Sequence, residues 1–267
     1  TRVRSSAASD VYKRQSQDTT FKVSKMAKEL KLPLTCIGIP KTVDNDLPIT
    51  DCSPGFGSVA KYVATSTLEA GLDVKSMSET STKVFILEVM GRHAGWIAAA
   101  SALAARNETD PPHIILMPEV PFAKKKFIDK VKQTVADEGF CVVVASEGTR
   151  YKNGTFLADS GLTDAFGHKQ LGGVAPVLAQ MISSIGLKNH WAVSDYLQRS
   201  ARHISSKTDL DQAYAVGKKA VEFALAGKNA VMPVIKRLSD KPYKWKIESA
   251  SLSKVANVEK TLPKGYI

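Results

Sequence analysis

Short apolar, β-branched runs alternate with helical patterns along most of this chain, and this alternation limits its possible folds more than any other feature. The run VFILEV at residues 84–89 is nearly continuous in apolar residues, which is typical of a strand buried on both faces of a parallel sheet. The other predicted strands are 34–39, 113–117, 141–145, 190–193 and 230–235. The predicted helices are 56–77, 95–106, 125–138, 169–185 and 210–226. This rhythm predicts βαβ units, so we expect an α/β fold with a mostly parallel sheet flanked by helices.

The net charge of +11 in 267 residues raises the question of a polyanionic partner. Residues 1–31 carry eight basic and three acidic side chains, and residues 236–267 carry the same numbers. The middle of the chain has 21 basic and 20 acidic side chains, which leaves a net charge of only +1. Because the basic surplus lies at the two ends, we expect no nucleic-acid partner.

Membrane and secretory classes are excluded on other grounds. No apolar run approaches the roughly 18 residues that a spanning helix needs, and the opening residues lack the apolar segment of a signal peptide. The three cysteines, Cys36, Cys52 and Cys141, form no C-x-x-C pair. An odd number of isolated thiols is typical of a reducing compartment, so we expect a cytoplasmic protein without a membrane partner.

Three segments of the chain differ in composition. Residues 1–20 are polar and lack periodicity, and we expect them to be a non-native or disordered leader. Residues 21–241 carry the alternating pattern and are expected to form the α/β region. Residues 242–267 are basic and show no clear second core, so we expect a C-terminal arm at which the chain is truncated.

The residues that follow each predicted strand are the candidates for function, because ligands of open parallel sheets bind where the carboxyl ends of the strands meet. Four such segments carry charged residues or glycines: PKTVDND at 40–46, MGRHAG at 90–95, SEG at 146–148 and SDYLQR at 194–199. Together they offer carboxylates, guanidinium groups, an ammonium group and flexible backbone. This is the strongest indication of function in the chain.

In the first segment, Asp44 and Asp46 lie two residues apart, beside Lys41 and Thr42. An aspartate can accept a hydroxyl proton as a general base, a second carboxylate can work with a metal ion, and an ammonium group can stabilise a transferring anion. The alternative interpretation is a turn or helix start in which Asp and Asn accept hydrogen bonds from backbone amides. The position at a predicted strand end favours function.

In the second segment, Arg92 stands between Gly91 and Gly95 at a predicted junction of strand and helix. Gly91 lets a ligand approach the backbone, the guanidinium group can bind a phosphate with two hydrogen bonds, and the helix start presents free amides. The alternative is helix capping with a structural arginine. No G-x-x-x-x-G-K-[ST] sequence is present, which disfavours a P-loop kinase.

The motifs PKTVDND, EVMGRHAG, SEG and YLQR, in this order and at these spacings, resemble those of the phosphofructokinase family over roughly residues 21–237. The resemblance implies a phosphofructokinase-like fold, transfer of a phosphoryl group to the 1-hydroxyl of fructose 6-phosphate in glycolysis, Mg²⁺ as cofactor and a homo-oligomer with shared sites. The family's donor-binding loop, which should supply the magnesium-binding aspartate, precedes the first motif. We therefore expect the N-terminal part of the fold to be missing from this chain.

The resemblance also assigns roles around the first motif. Asp44 matches the catalytic base that takes the proton of the attacking hydroxyl, and Thr42 lines the same site. No direct metal ligand is expected in this chain, and Asp46 is a candidate for an indirect role toward the metal. Lys41 matches a position where ATP-using bacterial members have a small residue and the pyrophosphate-using branch typically has lysine.

Five residues match the family's contacts with the sugar phosphate. Met90, Gly91 and Arg92 belong to the MGR motif, Glu147 matches the carboxylate that holds sugar hydroxyls, and Arg199 matches the arginine that binds the 6-phosphate. Each of these contacts is what the resemblance implies for this chain.

Three further candidates for substrate contact depart from the ATP-using bacterial members. Tyr196 stands where those members have a histidine, three residues before the phosphate-binding arginine. Lys83 stands where they carry an arginine that reaches across from a neighbouring subunit, and His190 stands near another such position. Lys83 would contact a phosphate as a point charge and not with two parallel hydrogen bonds.

Lys41 is the departure that says most about the donor, although the family decides donor choice largely in the loop that precedes the first motif. An ammonium group there neutralises charge on a transferring phosphoryl group without the rest of a nucleotide, so the chain looks most like the pyrophosphate-using branch, with Lys41 as a second catalytic residue. Two alternatives stay open. Some lysine-bearing members use ATP, and without the donor loop this chain could be a catalytically incomplete fragment or a binding module.

Overall fold

The structure is a computed structural model that describes residues 13–163, 169–171 and 173–267. The α-helices of these ranges are α1 (Lys13–Glu29), α2 (Phe56–Met77), α3 (Trp96–Ala100), α4 (Lys124–Glu138), α5 (Val174–Ser183), α6 (Leu197–Ser200) and α7 (Lys207–Leu225). The strands are β1 (Val84–Val89), β2 (Ile114–Leu116), β3 (Cys141–Ser146), β4 (Asp159–Thr163), β5 (Lys169–Leu171), β6 (Asn189–Val193), β7 (Val231–Asp240) and β8 (Tyr243–Ser251). None of the helices in the described ranges is long and apolar enough to cross a lipid bilayer.

The chain divides into two compact units. The first consists of the described parts of Thr1–Thr42, Leu47–Pro54 and Thr208–Lys260. The second consists of the described parts of Val43–Asp46, Gly55–Lys207 and Thr261–Ile267. Three of the four segments predicted to carry function belong wholly to the second unit.

A four-stranded sheet in the order β2–β3–β1–β6 forms the centre of the second unit. Strand β1 pairs in parallel with both β3 and β6, and β2 pairs in parallel with β3. Every residue of β3 and all of β1 except Phe85 are buried, as their nearly continuous apolar sequences predict. The predicted α/β fold with a parallel sheet flanked by helices is confirmed.

Helices cover both faces of this sheet, and successive side chains of β1 point to opposite faces. Val84 and Ile86 pack in one cluster and Leu87 and Val89 in another. The helical residues of the first cluster include Phe127, Val131, Leu178 and Ile182, from α4 and α5. Those of the second include Val59, Val63 and Ile97, from α2 and α3. The alternation places Glu88 on the same face as Ile86, toward α5.

The first unit contains an antiparallel pair that the sequence did not predict. The predicted strand 230–235 is the start of β7, which pairs with β8 and not with the parallel sheet. Strand β8 lies inside the segment 242–267 that was expected to be an arm. Its sequence alternates exposed lysines with the partly buried Trp245 and Ile247, and this period of two is what a strand with one solvated face requires.

Other predicted boundaries also differ from the structure. Residues 34–39 form no strand and make a single parallel bridge, between Ile37 and Val231, because Cys36 instead donates its amide hydrogen to the Asn229 side chain. Helix α1 begins at Lys13, inside the predicted leader 1–20, whose residues 1–12 lie outside the described ranges. The helix predicted over 169–185 begins only at Val174, since residues 169–171 form β5.

His113 gives the second unit a stability that depends on pH. Its Nδ1 atom accepts a hydrogen bond from the Val142 amide at 2.9 Å, which requires the neutral imidazole, and burial lowers the pKa of His113 below its ordinary value. The unfolded chain therefore binds the proton more readily, so this contribution to stability is present above a pH of about 6.5 and is lost as the pH falls through the lower pKa of the folded state.

We predict that the free energy of unfolding falls between pH 7.5 and pH 5 more in the wild-type chain than in His113→Asn, which keeps an acceptor oxygen that does not titrate. Urea denaturation at several pH values measures the free energy of unfolding of the wild-type chain and of the variant. The matched control is His203→Asn, because His203 is exposed, and it should keep the wild-type dependence. Equal pH dependence in wild type and His113→Asn would contradict the prediction.

Candidate active site

Strands β1, β3 and β6 run in parallel, so their carboxyl ends meet at one edge of the sheet. The MGRHAG, SEG and SDYLQR segments follow these three strands, and direct hydrogen bonds join them. The Gly91 amide donates to Glu147 Oε1 at 3.2 Å, and the Met90 amide donates to Gln198 Oε1 at 3.2 Å. The structure thus assembles three of the four predicted segments into one site.

Two glycines let the MGRHAG and SEG backbones approach each other closely. Gly91 has a φ of 130°, and its carbonyl oxygen accepts a hydrogen bond from Ser146 Oγ at 2.5 Å. A Cβ atom on Gly148 would overlap the carbonyl oxygen of Arg92. Larger residues at either position would separate Glu147 from the backbone that it contacts.

The YLQR residues divide into a buried anchor and an exposed cation. Gln198 is 2% exposed, and its Nε2 donates to the Asp195 carbonyl oxygen at 2.9 Å while its Oε1 accepts from Met90. The Arg199 guanidinium carbon lies 4.0 Å from the centroid of the Tyr196 ring, and both side chains are exposed. This cation–π contact holds Arg199 beside the site while leaving its N–H groups available to an anion.

A cavity of about 290 Å³ opens at the carboxyl edge of the sheet. Its lining residues are Glu88, Val89, Met90, Glu147, Gly173, Val193 and Asp195. Three of them carry carboxyl groups, and Arg92 and Arg199 are not among them. The cavity therefore suits hydroxyl groups, which donate hydrogen bonds to carboxylates, better than it suits an anion.

Glu88 is the charged residue that sequence reasoning missed. It is 5% exposed, and its Oε2 accepts a hydrogen bond from the Ala175 amide at 2.8 Å. Burial raises the pKa of the Glu88 carboxyl; the backbone bonds from Ala175 and Val174 oppose that rise, and the nearby charges of Glu147 and Asp195 add to it. The sequence feature that could have pointed to Glu88 is that it is the single charged residue inside the apolar run VFILEV.

The PKTVDND segment passes from one unit to the other. Lys41 and Thr42 belong to the first unit and Asp44 and Asp46 to the second. Residues 43–44 form a turn and Asn45 has a φ of 55°, as the alternative interpretation of this segment predicts. The side chains of Asp44 and Asp46 are nevertheless 8% and 4% exposed, which a surface turn does not require.

Lys83 and His190 lie near the amino ends of strands β1 and β6, at the end of the sheet opposite to the cavity. The Lys83 amide, immediately before β1, donates to the Lys188 carbonyl oxygen at 2.9 Å. His190 is the second residue of β6 and is exposed. Neither lines the cavity of its own chain, so their predicted substrate contacts would require the site of a second copy.

No group of three or more His, Cys, Asp or Glu side chains within the described ranges is arranged to hold a metal ion. Asp46 stays a candidate only for an indirect role toward a metal ion.

Comparisons with known proteins agree with the four motifs. The phosphofructokinase family profile matches residues 15–224. The pyrophosphate–fructose 6-phosphate 1-phosphotransferases of Halomonas elongata and Methylococcus capsulatus are 65% and 58% identical to this chain over 253 residues. Each match covers 94% of this chain and 60% of the relative.

A solved structure leads to the same family. The crystal structure of pyrophosphate-dependent phosphofructokinase from Marinobacter aquaeolei aligns with a TM-score of 0.84 and 62% sequence identity, over 94% of this chain and 60% of that one. The chain thus spans about three fifths of the length of the relatives that it matches.

The contact between the MGRHAG and SEG backbones predicts an unusual sensitivity at one glycine. Gly148→Ala should lower the free energy of unfolding by about 1–3 kcal/mol, because the added Cβ overlaps the Arg92 carbonyl oxygen and forces the segments apart. The matched control is Gly217→Ala in α7, where a Cβ meets open space; it should be neutral or stabilise the chain by up to about 1 kcal/mol. Chemical denaturation of both variants checks the prediction, and equal stabilities would contradict it.

Proposed function

The chain belongs to the phosphofructokinase family, and from this premise we propose that its second unit binds fructose 6-phosphate. In the complete protein, this site serves the transfer of a phosphoryl group from pyrophosphate to the 1-hydroxyl, which yields fructose 1,6-bisphosphate. The two curated relatives carry pyrophosphate and fructose 6-phosphate in their names, and this supports the choice of donor and acceptor.

The observation that carries the proposal is the hydrogen bond from the Gly91 amide to Glu147, which lines the carboxylate-rich cavity. It brings together the two motifs that the family uses for the sugar phosphate. Glu147 faces the cavity and can accept hydroxyl hydrogens of the sugar. Arg92 follows Gly91 directly and Arg199 follows Gln198, so both arginines belong to segments that border the cavity and can bind the 6-phosphate outside it.

The transfer step itself rests on the PKTVDND motif. Asp44 takes the proton of the 1-hydroxyl, and the resulting oxygen attacks a phosphorus atom of pyrophosphate. The new P–O bond forms as the bond to the bridging oxygen breaks, and orthophosphate leaves. The ammonium group of Lys41 stabilises the charge on the transferring group, and Thr42 lines the same site. Positioning and charge stabilisation supply most of the catalysis in such transfers.

Mg²⁺ belongs to the proposal only as a requirement of the complete protein. The donor set of the described residues does not fit a resident metal ion, since they contain no suitable cluster of acidic, His or Cys side chains. No step above is therefore routed through a metal. Asp46 is proposed to act only indirectly.

The resemblance also supports a homo-oligomer in the cytoplasm. Lys83 immediately precedes β1 and His190 lies near the start of the neighbouring strand β6, at the end of the sheet away from the cavity. In an oligomer they would contact the phosphate bound by a second copy. Tyr196, stacked on Arg199, would orient that arginine toward the 6-phosphate.

Asp44→Ser tests the proposed base. In a full-length relative with the same motif, the matching change should lower kcat by about 10²–10⁴-fold, because the hydroxyl loses its proton acceptor. The KM for fructose 6-phosphate should stay within a few-fold of its original value. The matched control, Asp46→Ser, should lower kcat less. Steady-state kinetics measure all three proteins, and unchanged turnover in the Asp44 variant would remove the base from the mechanism.

Lys41→Gly tests the donor. In the same relative it should reduce turnover with pyrophosphate far more than affinity for fructose 6-phosphate, because the lost charge faces the transferring group and not the sugar. Lys41→Arg keeps the charge and should retain more activity. A coupled assay with pyrophosphate and with ATP separates the donors. Equal losses of donor turnover and sugar binding would contradict the assigned role, and turnover with ATP alone would contradict the donor.

A further inference from the structure

Glu88 is a buried carboxylate for which the proposed reaction has no use. Every other residue of β1 is apolar, and Glu88 lies in one of the two inner strands of the sheet with 5% of its surface exposed. Burying a carboxylate costs free energy unless other groups compensate its charge. Gln or an apolar residue would avoid that cost, so the presence of a carboxyl group here requires an explanation.

Among the residues that the structure describes, the groups that stabilise the ionised form of Glu88 are backbone groups at the start of α5, and no cation is among them. The Ala175 amide donates to Glu88 Oε2 at 2.8 Å, and the Val174 backbone also stabilises the ionised form. The charged side chains that most affect Glu88 are Glu147 and Asp195, both acidic. Free amides and the dipole at a helix N-terminus attract anions, and here the protein's own carboxylate occupies that position.

The start of α5 would otherwise open onto the candidate active site. Gly173, which precedes the helix with a φ of 98°, lines the same cavity as Glu88 and Glu147. A Cβ atom on Gly173 would lie 3.5 Å from Glu88 Oε2. A helix N-terminus in that position is suited to phosphate. Without Glu88, the cavity would therefore offer phosphate a second place to bind.

We propose that Glu88 is a specificity-determining residue whose carboxylate occupies the first amides of α5 and so reserves the cavity for sugar hydroxyls and excludes phosphate from it. The inference rests on the proposed function, because it concerns how that same site orients fructose 6-phosphate. The carboxylates of Glu88, Glu147 and Asp195 repel the phosphate, which then binds to the arginines outside the cavity. The sugar enters in one orientation only.

The test measures binding of inorganic phosphate, without sugar, to the wild-type chain and to Glu88→Gln at pH 7.5. A glutamine has the same shape, but it accepts a hydrogen bond through one oxygen only and carries no charge. Glu88→Gln should bind phosphate at least about fivefold more tightly than wild type by titration calorimetry. The amide NMR signals of Val174 and Ala175 should shift with phosphate in the variant and not in wild type.

A matched control separates specificity from the loss of a structural carboxylate. Glu119 accepts hydrogen bonds from the Gly95 and Leu262 amides, both at 2.9 Å, at the start of α3, yet it does not line the cavity. Glu119→Gln should leave phosphate binding as in wild type. If Glu88→Gln does not fold, Glu88→Asp is tested in its place. The aspartate side chain is one methylene shorter, so its carboxylate lies farther from the α5 amides. This variant should also bind phosphate more tightly than wild type.

The proposal is overturned if a folded Glu88 variant binds phosphate no more tightly than wild type, or if the Val174 and Ala175 signals do not respond. A gain of the same size in Glu119→Gln would also overturn it. The wild-type chain is titrated with fructose 6-phosphate in parallel. Absence of sugar-phosphate binding there contradicts the proposed function, whereas the phosphate titration, which involves no sugar, decides the role of Glu88 separately.

Discussion

The parallel pairing of β1 with strands on both sides is the constraint on which the rest of the second unit depends. Val89 stands opposite Ser146, and Glu88 stands opposite Val193. With this register, the chain leaves three strands at the same edge of the sheet. The apolar side chains that cover both faces of β1 fix that register, since a shift by one residue would turn each buried side chain to the other face. The position of the candidate site follows from packing far from any substrate.

Backbone amides orient the carboxylates of this unit. Glu147 accepts a hydrogen bond from the Gly91 amide, and Glu88 accepts one from the Ala175 amide. Glu119 accepts hydrogen bonds from the amides of Gly95 and Leu262. A hydrogen bond from a backbone amide fixes the direction of each of these carboxylates. The arginines of the MGRHAG and YLQR segments thus remain available for phosphate. The surplus charge at the chain ends has no part in this arrangement.

The sequence predicted the parts of the fold that repeat a strong local pattern. The runs at β1 and β3 are nearly continuous in apolar residues, so strand, burial and parallel pairing followed from them. Residues 34–39 also form a mostly apolar run, but their pairing depends on distant partners such as Asn229, which no local pattern reveals. Strand β8 was not predicted because its exposed lysines made the segment resemble a basic C-terminal arm. In the site, the motifs predicted Gly91, Arg92 and Glu147, whereas Glu88 depends on a contact with α5, 87 residues away along the chain.

We propose that the carboxyl ends of the parallel strands hold fructose 6-phosphate with its sugar in the carboxylate-lined cavity and its phosphate on the arginines. A crystal structure of the chain with fructose 6-phosphate tests this claim most directly. Sugar hydroxyls should lie within hydrogen-bond distance of Glu147, and the 6-phosphate should lie against Arg92 or Arg199. A phosphate seated between Glu88, Glu147 and Asp195, or a sugar bound away from this edge, would contradict it.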